Sequence, residues 1–235
     1  MSKADTLQKI PLFSHLTARE RCKIGEEVVE ARYGKGQFIF REGDPADSFH
    51  ILMEGSVKCV RTLPDGKEVT LKVLMPGDLF CCDAAVLDGA PHPGSAKPMG
   101  GVSVLRLSKK AYYDLLRRNP DAALEVIEYL GRRLNEAQEN AKLLALDRAE
   151  QRMASLLIKL AARAGVRETD GIRLTVRLTR QDLADMAGIA VETATRIMGQ
   201  FKRARLVRGT AKRLVIQDQD RLERLAQTPC PPPSK

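Results

Sequence analysis

Glu192 and Arg196 stand four residues apart in the run VETATRIMGQFKR, a spacing that puts a carboxylate and a guanidinium on one side of a helix. A carboxylate can accept from cytosine N4 and a guanidinium can donate to guanine O6 and N7, so the pair could read a G·C base pair. The surrounding residues predict the frame that such reading needs. Thr179 caps a helix whose apolar face is Leu183, Met186 and Ala187, Gly188 ends it, and a second helix begins at Ala190 or Val191. That second helix has Ala194, Ile197, Met198 and Phe201 inside and Glu192, Thr193, Thr195, Arg196, Gln200 and Arg203 outside. Two helices joined at a tight Gly turn, the second basic on its outer face, have the layout of a DNA-reading helix-turn-helix. The alternative is an ordinary helical hairpin whose Glu192–Arg196 pair is solvated.

Local charge favours the reader. Residues 171–213 hold ten basic side chains (Arg173, Arg177, Arg180, Arg196, Lys202, Arg203, Arg205, Arg208, Lys212 and Arg213) against Asp182, Asp185 and Glu192. Such an excess is what a phosphate-facing surface requires. Thr179 and Arg180 at the start of the first helix, Lys202 and Arg203 at the end of the second, and Lys212-Arg213 beyond are expected to hold phosphates, which set register without reading sequence.

The other chemistry-bearing side chains are thiols and imidazoles. Cys22, Cys59, Cys81, Cys82 and Cys230 form no zinc-binding spacing. His15, His50 and His92 each lie in a different segment, so the clustered His and carboxylate ligands of a metal-dependent dioxygenase are missing and an enzyme is not expected. The adjacent Cys81-Cys82 pair is open to selective oxidation if its thiolates are exposed, or is a pair of small buried apolar side chains.

The elements that must position these groups follow from the chain in order. Its 235 residues, 43% apolar and 29% charged, allow one large or two modest domains. The formal net charge is +9, with most of the excess in the second half, the half expected to meet a polyanion. No apolar run is long enough to span a membrane and MSKADTLQKIPLF lacks a signal-peptide core, so the expectation is a cytoplasmic protein with reduced cysteines and no membrane partner. Residues 5–31 read as helical, with Ile10, Leu12, Phe13 and Leu16 as an apolar cluster and Thr17 capping ARERCKIGEEVVEARY. From Gly34, short alternating segments follow: 38–40, 49–53, 57–62, 69–74 and 102–107, separated by turns at Glu42-Gly43-Asp44-Pro45, Glu54-Gly55, Pro64-Asp65-Gly66 and Pro76-Gly77-Asp78. This spacing argues for a β-sandwich or barrel.

Ser108 can cap KKAYYDLLRRN, and Pro120 opens a long helix. Ile127, Leu130, Leu134, Ala137, Ala141 and Leu144 then step by three and four, a heptad seam that suits a parallel dimer helix or packing on the helix's own barrel. A break near Leu146-Asp147-Arg148 is the expected hinge. Residues 149–164 form an amphipathic helix, Ile172, Leu174, Val176 and Leu178 an alternating strand, and Leu206-Val207, Gly209 and Leu214-Val215-Ile216 a two-stranded wing. Thr228-Pro229-Cys230 and the prolines after it read as a disordered tail.

The order of these motifs resembles that of the cyclic-AMP receptor protein / fumarate-nitrate-reduction regulator (CRP/FNR) family over residues 8–217. The run GKGQFIFREGDPADSFHILMEGSVKCVRTLPDGKEVTLKVLMPGDLF is similar to its cyclic-nucleotide-binding jelly roll, with Gly-Asp turns at 43–44 and 77–78. The resemblance implies an α+β fold: an N-terminal β jelly roll sensing an effector (1–118), a dimerisation helix and hinge (119–147), a C-terminal winged helix-turn-helix (148–227) and a tail (228–235). It implies a homodimer on a double-stranded DNA operator, meeting RNA polymerase if it activates. Val-Glu-Thr and a hydroxyl residue before Arg196 are similar to the oxygen-regulator branch. That likeness implies a TTGA-type inverted repeat, with Glu192 and Arg196 on the central G·C pair and Thr195 or Val191 on a thymine methyl.

The effector pocket implied by the resemblance is Gly77, Asp78, Leu79, Phe80, Cys81, Cys82, Asp83, Ser95 and Ala96. Members that bind cyclic AMP have Arg-Ser or Arg-Thr for the cyclic phosphate, whereas here Gly94 precedes Ser95 and Lys97 lies on another face. A buried anion without a paired cation is costly, so cyclic AMP is not the expected effector. Carbon-monoxide-sensing members supply a haem-ligating cysteine near Cys81, followed two residues on by a histidine. Asp83 stands there, leaving His92 as the nearest replacement ligand. Haem or gas sensing, thiol sensing by Cys81-Cys82, and an uncharged or weakly anionic small molecule all stay open, beside plain burial of the cysteines with His92 in a loop. An iron–sulphur cluster is not expected, because only Cys22 precedes Cys59. A constitutive DNA-binding protein with a vestigial pocket is the competing function.

Overall fold

The computed structural model describes residues 7, 10, 13, 16–80, 89–146, 148–210 and 213–227, the side chains of 139–146 excepted. The chain divides into two compact units, Met1–Glu68 with Lys72–Glu136, and Val69–Leu71 with Ala137–Lys235.

In the first unit, Thr17 opens α1 (Ala18–Glu27) through a capping box in which the Glu20 carboxylate accepts the Thr17 N–H at 2.8 Å. The sequence predicts helix through Tyr33, but α1 stops at Glu27 and Val29–Tyr33 is strand β1. The β-branched pair Val28-Val29 is stiff at χ1, and Val29–Tyr33 pair with Val102–Arg106, a gain no local helix offers. The further strands are β2 (Ser48–Glu54), β3 (Val57–Thr62), β4 (Glu68–Leu74), β5 (Leu79–Phe80), β6 (Ser95–Pro98) and β7 (Val102–Ser108). The segment at 38–40 contributes a single bridge, Phe40 to Ala96.

These strands form an antiparallel jelly roll with sheets ordered β1-β7-β2-β5 and β4-β3-β6. Strand β2 is buried on both faces from Ser48 to Leu52, its two polar residues Ser48 and His50 included. Phe49 and Ile51 pack with Leu105, Leu107, Tyr112 and Leu115 in one core layer. Leu52 packs with Val57, Leu74, Phe80, Ala96 and Val104 in the other. Ser108 caps α2 (Lys109–Arg118), its hydroxyl accepting the Ala111 N–H at 3.2 Å, and Pro120 opens α3 (Pro120–Leu146).

The second unit contains α4 (Ala149–Ala164), β8 (Gly165–Glu168), β9 (Gly171–Leu174), α5 (Arg180–Ala187), α6 (Val191–Arg203), β10 (Val207–Thr210), β11 (Arg213–Ile216) and α7 (Gln219–Gln227). The predicted strand from Ile172 to Leu178 ends at Leu174, and Val176 and Leu178 bury their side chains from irregular backbone. The wing is also larger than the expected hairpin. Ile172 and Arg173 pair with Ile216 and Val215, which joins β10-β11 to β9-β8 in one four-stranded sheet. Helix α7 is an addition to the expected elements; the Asp218 carboxylate caps it by accepting the Arg221 N–H at 2.9 Å, and Leu222 anchors it in the core. Asp147 of the predicted hinge and the tail 228–235 lie outside the described residues.

Candidate nucleic-acid interface

The reader is built on α5 and α6. Thr179 caps α5 with a reciprocal box, its hydroxyl accepting the Asp182 N–H and the Asp182 carboxylate accepting the Thr179 N–H at 2.9 Å. Gly188 takes the left-handed conformation, φ 62 and ψ 43, that turns the chain between the helices. The inner face of α5 is Leu183, Ala184 and Ala187; Met186, predicted among them, is only half-buried. In α6 the predicted inner residues Ala194, Ile197, Met198 and Phe201 are all buried. Opposite them Glu192, Thr195 and Arg196 are exposed and Val191 is half-buried, so the four predicted base-reading residues share one end of one helix.

Two local bonds set how these side chains present themselves. The Thr195 hydroxyl donates to the Val191 carbonyl at 2.8 Å, which satisfies its one proton inside the helix. Arg196 reaches the Gln200 side-chain oxygen at 3.4 Å rather than pairing with Glu192. Among the predicted phosphate contacts Lys202, Arg203 and Arg213 are exposed and Arg180 is half-buried, with burial lowering the pKa of its guanidinium; Lys212 lies outside the described residues. Arg213 is 3.4 Å from Glu168, which also takes Arg173 at 2.5 Å, and Arg208 pairs with Asp170. These hydrogen bonds hold the Glu168 and Asp170 carboxyls below their ordinary pKa. Arg205, which ends the turn after α6, has φ 57, an uncommon conformation for a residue with a side chain.

The predicted effector residues lie in the jelly roll. Asp78 closes its turn by accepting the Met75 N–H at 2.8 Å, and Leu79 and Phe80 are buried opposite Ile51 and His50. Cys81, Cys82 and Asp83 lie outside the described residues. Ser95 and Ala96 are buried in β6; the Ser95 hydroxyl accepts the Glu42 N–H at 2.9 Å and Ala96 bonds with the backbone of Phe40. His92, expected as a loop residue or a ligand, is buried and stacked on Phe40 at 3.7 Å between centroids. His50 lies against Phe40 and Phe80, and burial first, then Arg106 and His92, push its pKa down to about 3. Lys97 pairs with Glu68 and lies over the Phe38 ring, which Arg41 also covers at 3.7 Å.

Residues 30–119 match the cyclic nucleotide-binding domain family and residues 151–225 the Crp-like helix-turn-helix domain family. A cyclic AMP receptor protein of Thermus thermophilus is 30% identical over 217 residues, which cover 92% of this chain and 96% of that protein. The chain belongs to the CRP/FNR family of DNA-binding transcription regulators. A CRP-like cAMP-activated global transcriptional regulator of Mycobacterium tuberculosis is 26% identical over 223 residues, 95% of this chain and 99% of that one. The solved structure of a CRP-family transcriptional regulator of Thermus thermophilus superposes with a TM-score of 0.70 at 26% identity, covering 85% of this chain and 97% of that one.

In this CRP/FNR regulator the seam of α3 is open. Ile127, Leu130 and Leu134 are 64%, 38% and 61% exposed, and Ala137 is exposed as well. Leu124, outside the predicted heptad register and one turn before Ile127, is 59% exposed as well. The side chains of Ala141 and Leu144 are outside the described set. No described helix is long and apolar enough to cross a membrane.

Proposed function

We propose that the protein is a homodimeric, effector-controlled transcription regulator whose α6 reads a TTGA-type inverted repeat. The carrying observation is the clean division of α6, with four apolar residues fully inside and Glu192, Thr195 and Arg196 outside. Glu192 and Arg196 take the G·C pair. Because the Thr195 hydroxyl is already bonded to Val191, its methyl is the group that meets a thymine methyl. The open seam supports the homodimer: four large apolar side chains along one helix face would cost about 25 cal/mol per Å² left in water, and a second copy covers them. Residues 1–118 then sense, 119–147 pair the protomers and 148–227 read DNA, in a cytoplasmic protein.

The test is selection from a random duplex pool followed by binding measurements on the selected site. Arg196→Ala is expected to cost about 1–3 kcal/mol and to relax preference at one base pair. Equal loss on every duplex would make Arg196 a phosphate contact instead.

The effector is not read as cyclic AMP, although two relatives carry that nucleotide in their names. Gly94 supplies no cation, and Lys97 is engaged by Glu68. Haem, a gas bound through it, or thiol oxidation at Cys81-Cys82 are the readings to try first. A Soret band that shifts on reduction would establish haem, and its absence after haemin titration would leave the thiols and small molecules. A constitutive regulator is the second reading. It is favoured by the packing of Phe40, His50, Phe80 and His92 against one another inside the sandwich. A DNA affinity that no effector changes would select it.

A further inference from the structure

Helix α4 carries no predicted site residue, yet one of its side chains reaches the turn between the two reading helices. Arg152 donates from Nε to the Ala187 carbonyl at 3.0 Å and from Nη2 to the Gly188 carbonyl at 3.2 Å. The last turn of a helix leaves its carbonyls without partners. At α5 the Ile189 N–H takes Ala184 O and the Gly188 N–H takes Asp185 O, both at 3.0 Å, so backbone bonds satisfy the first two. Further into the turn, the carbonyls of Ala187 and Gly188 go to the guanidinium. A fixed cation at that end also meets the negative pole of α5.

The other side of the turn has less support. Ala190 caps α6 with no side-chain hydrogen bond, in contrast to the Thr179 box at α5. Val191 and Glu192 begin immediately afterwards, so the direction of the reading face is set by how this turn is held. Arg152 is well placed to hold it, because its neighbours Met153 and Ala154 are fully buried and fix α4 in the core of the same unit. A planar fork can grip two successive carbonyls, which the point charge of lysine cannot do.

We propose that Arg152 is a positioning residue for base recognition, holding the turn 187–190 so that the outer face of α6 meets base edges in register. The inference rests on the proposal that α6 reads sequence. It separates positioning from charge: base hydrogen bonds weaken steeply with misalignment, whereas phosphate attraction tolerates it.

The experiment uses full-length protein, the duplex that the wild type selects from a random pool, and a scrambled duplex of equal composition. Arg152→Met keeps the stem and removes the donors, and Arg152→Lys keeps the charge. Discrimination between the duplexes should fall in Arg152→Met by about five-fold to a hundred-fold, the range for one lost base contact. Affinity for the scrambled duplex and the slope of affinity against salt should stay as in the wild type, and Arg152→Lys should recover part of the discrimination. Equal weakening on both duplexes, with the salt slope lower by about one, would identify a phosphate contact and overturn the inference. Full discrimination in either variant below its melting temperature would overturn it too. If Arg152→Met does not fold, Arg152→Lys decides on the same ratio. A wild type that selects no sequence would instead refute the function proposed for α6.

Discussion

His50 is kept neutral inside the jelly roll, and acidification measures how firmly. Its side chain is 4% exposed, and its folded pKa lies at about 3 against an ordinary 6.5. Desolvation is the main cause; Arg106 and His92 push in the same direction, and Asp47 opposes them. Between the two values the unfolded chain binds a proton that the folded chain refuses, so stability falls as pH falls from 6.5 towards 3. One proton is worth about 1.4 kcal/mol per pH unit, which gives a loss of about 1 kcal/mol at about pH 5.5 and about 3 kcal/mol at about pH 4.5. The sequence provides a selective probe. There is no Trp, and Tyr33, Tyr112, Tyr113 and Tyr129 all belong to the first unit, so tyrosine fluorescence during urea unfolding follows the jelly roll alone. The comparison is wild type against His50→Leu across this pH range, because the difference cancels the titrating groups that do not interact with His50. The wild type should lose stability faster than the variant on acidification by the amounts above. Parallel pH profiles for the two proteins would refute the neutral burial of His50.

Leu134→Glu places a charge in the centre of the open seam of α3, where the side chain is 61% exposed in the single chain. The variant is expected to elute as a monomer with its far-UV circular dichroism unchanged, and to lose most of its operator affinity; a dimer of wild-type stability would show that the seam packs elsewhere. Gly171 has φ +135, and a Cβ there would lie 2.0 Å from the Ile216 carbonyl oxygen. Gly171→Ala should therefore destabilise the second unit by about 1–3 kcal/mol through strain in the β9–β11 pairing, read as a lower midpoint in circular-dichroism melts.

The parts of the fold that the sequence makes legible are those in which a local residue determines a local conformation. Thr179, Gly188 and Ser108 act within four residues of themselves, and the caps and the turn they mark are all present. The α1–β1 boundary is hidden because EEVVEARY fits a helical period, and only pairing with the sequence-distant β7 makes Val29–Tyr33 a strand. The end of β9 and the enlarged wing are hidden for the same reason: β11 lies forty residues on. Asp218 and Leu222 do mark α7, but their stretch also reads as the run-in to a polar tail. Arg152 offers no signal at all. Its role depends on two carbonyls 35 and 36 residues away, and no periodicity encodes that.

Charge is the least transparent quantity, because a count of basic residues does not tell which are already engaged. Arg208 and Arg213 contribute to the positive excess of the reader, yet they hold Asp170 and Glu168. Surface pairs are worth about 0–1 kcal/mol and both guanidinium groups reach solvent, so exchanging a carboxylate for a phosphate would cost little and the pairing does not withhold either arginine from the proposed DNA contact. The same pairing has the opposite weight in the jelly roll. Lys97 has a side chain only 24% exposed, and it already serves Glu68 and the Phe38 ring. Drawing it to a buried phosphate would strip Glu68 of its partner, and Gly94 has nothing to offer instead. The proposed reader would thus exchange its surface ion pairs for a polyanion at little cost, whereas the half-buried Lys97–Glu68 pair supports the proposal that the effector is not a cyclic phosphate.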